Sequence, residues 1–224
     1  METPLQIPPK RHALLIFFGL VFALSWSLWI PAALAQAGML TIPVPTALLD
    51  LVGAWAPSLI AILLTLAMDK RQGLGVLLRR LLVWRVGLRW FLFVLFFPAV
   101  LSLLSTGIAM LFGSPAPDFS HPLFLSVYPI PPEAMAYGFL VFLPMAFIIQ
   151  VFSSSLGEEL GWRGFALPRL QSRRSALLSA VIIGVIWGVW HLPAHFLFTP
   201  GMTLLPELLF ILATCCREYI FAIW

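Results

Sequence analysis

The feature that most constrains this chain is a series of apolar runs, each about long enough to cross a lipid bilayer, separated by segments that alternate between basic and uncharged. A crossing takes about 20 residues, because roughly 30 Å of hydrocarbon is spanned at about 1.5 Å per helical residue. Such runs lie at 13–35, 47–68, 90–112, 138–157, 176–198 and from 204–216 onward. An isolated strand in lipid would leave its peptide groups unpaired, so every run is expected to be helical. Composition agrees: 61% of residues are hydrophobic and 10% charged, which does not suit a water-soluble globule, a disordered chain or a coiled coil. Mean hydropathy is +1.01, and unbroken apolar stretches do not suit a β-barrel. The expected fold is all-α, a polytopic integral membrane helical bundle of about six transmembrane helices, forming one domain over residues 1–224.

The charges give an orientation. Thirteen Lys and Arg against nine Asp and Glu leave a net charge of +4. Lys10 and Arg11 precede the first run; Lys70, Arg71, Arg79, Arg80, Arg85 and Arg89 lie between the second and third. Arg163, Arg169, Arg173 and Arg174 lie between the fourth and fifth, and Arg217 follows the start of the sixth. The alternate segments, 36–46, 113–137 and 199–206, hold no Lys or Arg, so both termini are expected in the cytoplasm. Basic residues set between apolar runs point to the lipid bilayer as partner rather than to nucleic acid. From Gly73 to Arg89, leucines mixed with arginines suit a helix lying in the membrane interface, although ordinary topogenic charge explains them equally well. Ala33-Leu34-Ala35 resembles a signal-peptidase site, but the long preceding run favours an uncleaved anchor. Pro57, Pro98 and Pro144 interrupt apolar runs, and Pro129, Pro131 and Pro132 precede the fourth. The only cysteines, Cys215 and Cys216, are neighbours and define no disulfide framework.

Chemistry concentrates in two places. Glu158 and Glu159 directly follow an apolar run, where ionisable groups are costly and usually face a protein interior or a wet cavity. On a helix Glu159 and Arg163, at i and i+4, share a face and can pair. Glu158 then points elsewhere, next to a like charge in a dry setting, where a glutamate can serve as general base toward water. Alternatively the carboxylates cap the fourth helix at its cytoplasmic end, a placement that opposes the helix macrodipole. The second place is Trp187-Gly188-Val189-Trp190-His191-Leu192-Pro193-Ala194-His195. If the basic turn at Arg173 and Arg174 closes a helical hairpin, Glu158 and His191 reach similar depth and could hold one water between carboxylate and imidazole. The depth of Glu158 depends on whether the fourth helix continues past Glu159 or projects into the cytoplasm. His191 and His195 have the i, i+4 spacing of zinc ligands, but Leu192 stands where an H-E-x-x-H motif has glutamate, and Pro193 disturbs the helix. A satisfied core role for either histidine is the plainer reading, and His12 and His121 are assigned nothing.

Glu158-Glu159-x-x-x-Arg163, followed by Trp187-x-x-x-His191, resembles the first two motifs of the CPBP family, the CAAX protease and bacteriocin-processing intramembrane proteases. The likeness extends through Glu158-Glu159-Leu160-Gly161-Trp162-Arg163-Gly164, Leu167-Pro168-Arg169-Leu170 and Trp190-His191-Leu192-Pro193, within residues 150–198. The resemblance implies a membrane endopeptidase acting on membrane-associated, in some members prenylated CAAX-type, peptide or protein substrates. It implies Glu158 and His191 as catalytic residues, with Glu159, Arg163 and Trp187 supporting them. It leaves the cofactor open between zinc, for which Glu158 and His191 would be ligands, and none. The family's third motif, a later His-x-x-x-Asn, has no counterpart, since this chain contains no Asn and no His after His195. The chain therefore reads as truncated relative to the family pattern, and a catalytically inactive immunity or regulatory protein binding a peptide or partner is the alternative function. A proton-coupled transporter could also use an intramembrane Glu and His, but no pair of broken helices supports it. The expected location is a bacterial plasma membrane.

Overall fold

The computed structural model describes residues 12–82, 87–111, 116, 145, 148–149 and 151–198. Among the described residues every regular element is helical and no strand occurs. The run expected at 204–216 and most of that at 138–157 lie outside them, as do Lys10, Arg11, Arg85, Arg217, His121, Pro129, Pro131, Pro132, Pro144, Cys215 and Cys216. The chain divides into two compact units, Met1–Leu82 with Ile148–Trp224, and Val83–Phe147. The second unit contains α3, Leu88–Leu111, on the third apolar run, with Leu92, Phe96 and Leu103 among its exposed side chains.

The first unit begins with α1, Ala13–Gln36, and α2, Thr46–Arg79. The helices spanning Ala13–Gln36 and Thr46–Leu82 are long and apolar enough to cross a membrane, and Ala176–Trp190 is a shorter apolar helix. Along α1 the buried residues Ala13, Phe17, Val21, Ser25 and Trp29 recur every fourth position, forming one stripe against the bundle. Leu15, Ile16, Leu20 and Ile30 are exposed on its other faces. A helix apolar all round with one buried stripe suits a bundle on one side and lipid on the rest. The stripe ties α1 into an aromatic core. Phe17 stacks on Phe165 at 5.0 Å and meets Trp162 edge-on at 5.7 Å, and Trp29 packs on Trp190 at 4.6 Å between ring centroids.

Pro57 in α2 shows how this unit satisfies its backbone. Proline has no N–H, so the carbonyl four residues earlier, that of Gly53, loses its helical partner. The fully buried Ser25 hydroxyl of α1 donates to that carbonyl at 2.8 Å. Ser25→Ala is therefore expected to destabilise the protein by about 1–3 kcal/mol, the usual cost of an unsatisfied buried acceptor. Thermal unfolding in detergent checks this.

Beyond its apolar part α2 breaks at Lys70, whose φ of 56° lies in the left-handed region, and becomes helical again to Arg79, followed by a 3-10 turn at Arg80–Leu82. The helix expected from Gly73 is present as far as these elements reach. Gly73 and Leu77 are buried against the bundle, while Leu78, Leu81, Leu82, Arg79 and Arg80 are exposed.

Candidate active site

The two adjacent glutamates lie in a single α-helical turn, α4, Leu156–Glu159, between π-helical segments at Val151–Ser155 and Leu160–Ala166. The rod then continues as α5, Leu167–Gln171. Helix 151–171 thus runs well past Glu159, and the carboxylates do not terminate it. The unfavourable placement against the macrodipole does not arise, and Glu158 lies inside the bundle, 7% exposed. π-helical turns are uncommon and often mark functional sites. Because their hydrogen bonds skip one residue further, carbonyls near their ends need other donors.

Side chains of α2 supply several of these donors. Trp55 Nε1 donates to the Phe152 carbonyl at 2.9 Å and the Ser58 hydroxyl to that of Leu156 at 2.7 Å. Arg80, in the turn after α2, donates to the Gly164 carbonyl at 2.6 Å. Near the same end Arg169 donates to the Phe165 carbonyl at 3.0 Å, meets Asp69 at 3.5 Å and lies 3.7 Å over the Phe165 ring. Burial pulls the Arg169 guanidinium below its ordinary range, Asp69 opposes this, and nearby Arg80 adds to it.

A four-residue turn containing Arg173 and Arg174 reverses the chain into α6, Ala176–Trp190, whose N-cap Ser175 accepts from the Leu178 N–H at 3.3 Å. Helix 151–171 and α6 therefore form a hairpin. α6 stops at His191, and α7, Leu192–Phe198, resumes with Pro193 in its first turn. At this break the Trp190 carbonyl accepts from Trp26 Nε1 at 3.0 Å, so α1 bridges the interruption.

The hairpin brings Glu158 and His191 to one cavity. Trp187 Nε1 donates to Glu158 Oε2 at 2.7 Å, and His191 Nδ1 lies 2.9 Å from the Trp187 carbonyl. A carbonyl only accepts, so His191 Nδ1 carries a proton and donates it to this bond. The His191 ring meets those of Trp187 and Trp190 edge-on at 4.3 and 4.5 Å, which fixes its plane. Glu159 pairs with Arg163 along the same helix and does not line the cavity. The cavity has a volume of about 520 Å³ and is lined by Trp29, Ala47, Asp50, Leu51, Ala54, Ser153, Glu158, Trp190, His191, Ala194 and His195. Its described lining residues all belong to the first unit.

Sequence reasoning passed over Asp50, Ser153 and Trp29, and weighed His195 only as a zinc ligand or a satisfied core residue. Asp50 carried a usable signal, being a carboxylate within an apolar run. His195 stacks on His191 at 5.6 Å. Among the described residues no group of three or more His, Cys, Asp or Glu side chains is arranged to hold a metal ion. Glu158 and His191 are instead oriented by the indole and carbonyl of Trp187. These residues do not by themselves make up a zinc site.

The helices and this cavity define a class: an integral membrane protein with a carboxylate and an imidazole enclosed in its bundle. Comparison with known proteins sharpens it. Residues 138–224 match the family model described as type II CAAX prenyl endopeptidase Rce1-like. CAAX prenyl protease 2 of Methanococcus maripaludis is 40% identical over 55 residues, which make up 25% of this chain and 20% of that relative. The alignment thus spans about a fifth of the curated relative's length. Residues 138–224, less than half of the chain, are thus similar to CAAX-type prenyl endopeptidases, and this supports the CPBP resemblance carried by the motifs.

Proposed function

We propose that this protein is an intramembrane endopeptidase that hydrolyses peptide bonds of membrane-associated, CAAX-type substrates with a water activated by Glu158. The observation that carries this reading is that Glu158 and His191, from opposite arms of the hairpin, line one cavity while Trp187 contacts both. A water between them donates one hydrogen to the Glu158 carboxylate and the other to His191 Nε2. Glu158 removes its proton as the water oxygen bonds to the scissile carbonyl carbon. The C–N bond then breaks, and the proton passes from Glu158 to the departing amine. Trp187 acts as a positioning residue, and the Glu159–Arg163 pair holds the second carboxylate away from the cavity. The protein resides in a bacterial plasma membrane with about six crossings and both termini cytoplasmic. Its partners are the bilayer and a membrane-associated peptide or protein, with no nucleic acid.

The test is cleavage of membrane-tethered peptides, with and without a prenyl group, by protein reconstituted in liposomes. Wild type is expected to cleave members of this panel. His191→Ala is expected to lower kcat by about 10²-fold, the order of loss expected when the attacking water is no longer held in place. Trp187→Phe, which keeps the ring but removes the N–H, is expected to lower kcat more than it raises KM. No cleavage of any peptide by wild type, or an unchanged rate in His191→Ala, would remove the proposal.

A further inference from the structure

The cavity holds more ionisable groups than the hydrolytic step uses. Asp50 lies one turn before Ala54 on α2, and the Ala54 backbone abuts Gly157, the residue preceding Glu158. His195 lies one turn beyond His191, stacked on it. Trp29 connects these elements: its Nε1 donates to the Asp50 carbonyl at 3.2 Å, and its ring lies 6.2 Å from that of His191. Glu158 with His191 therefore makes one layer of the cavity, and Asp50 with His195 makes the next, about one helical turn, or ~5–6 Å, away.

Nothing in the hydrolytic step requires Asp50. Its carboxylate is half-buried in an apolar helix, a costly placement that the Trp29 indole offsets only in part. The described cavity lining includes two carboxylates and two imidazoles but no Lys or Arg. With neutral imidazoles this described lining is negative, and apolar walls strengthen its field.

We propose that Asp50 is a specificity-determining residue that accepts a cationic Lys or Arg side chain of the substrate peptide, next to the scissile bond. This rests on the endopeptidase reading for its substrate class, while the test reads binding and does not need turnover. Peptides with aliphatic residues around one variable position, occupied by Lys, Leu or Glu and moved along the sequence, are titrated against protein in uncharged phosphatidylcholine nanodiscs. The Glu158→Gln background slows cleavage and removes the competing charge. At one position Lys is expected to bind at least tenfold more tightly than Glu. Asp50→Asn, isosteric and uncharged, is expected to bring that ratio to near one, and Asp50→Lys to invert it.

A Lys-to-Glu ratio near one at every position in the Glu158→Gln protein would overturn the proposal, as would a preference that survives Asp50→Asn. Should Asp50→Lys fail to fold, Asp50→Asn alone decides. Should wild type cleave nothing while the Asp50-dependent preference persists, the endopeptidase reading fails and the cation site stands.

Discussion

Glu158→Gln is expected to lower peptide cleavage by about 10²- to 10⁴-fold, the usual contribution of a positioned general base, while leaving the fold intact. Glutamine has nearly the same volume, and its amide oxygen can still accept from Trp187 Nε1, so the 2.7 Å contact that seats the side chain is retained. What is lost is a group able to take a proton from water. Initial rates in liposomes, alongside thermal unfolding of the same preparations, separate the two effects. Equal rates for wild type and variant would eliminate Glu158 as the base. A large drop in unfolding temperature would assign it a structural role instead.

The second large effect is expected at Gly161, where helix 151–171 crosses α2. A Cβ there would lie 2.5 Å from Pro57 Cβ and 2.6 Å from the Pro57 carbonyl carbon and oxygen. Two of these three atoms are backbone, so relief requires the helices to separate. Gly157 has the same constraint one turn earlier, with a Cβ falling 2.9 Å from the Ala54 carbonyl oxygen. Separation would also stretch the bonds from Trp55 and Ser58 to the π-helical carbonyls. Gly161→Ala is expected to cost about 3 kcal/mol, the upper end of the usual overpacking range, a large fraction of a typical folding free energy. Gly164→Ala is the control, since its closest neighbour at 3.0 Å is the mobile end of Leu77. Denaturant titration of the detergent-solubilised proteins measures both, and similar stabilities would refute the role given to this crossing.

Much of this was legible in the sequence. The length of the apolar runs marked α1, α2 and α6, because that signal is local and the lipid imposes it. The spacing of Glu158, Glu159, Arg163, Trp187 and His191 marked the site, and the basic turn at Arg173 and Arg174 marked the hairpin that assembles it. The depth of Glu158 was not legible. It depends on π-helical turns on both sides of α4, and these persist because Trp55, Ser58 and Arg80, distant in sequence, satisfy carbonyls there. No local pattern announces such a bond.

By itself, then, the sequence determined that this chain is helical and suited to a membrane, and that acidic and imidazole groups lie on two neighbouring rods. Only the tertiary structure decided that those groups share a cavity of about 520 Å³, and that Asp50 and His195 share it with them. The physical reason is that local spacing fixes which face of a helix a side chain occupies. Which faces meet is decided by contacts between remote segments, here the close approach of Gly157 and Gly161 to α2 and the reach of Trp187 to Glu158.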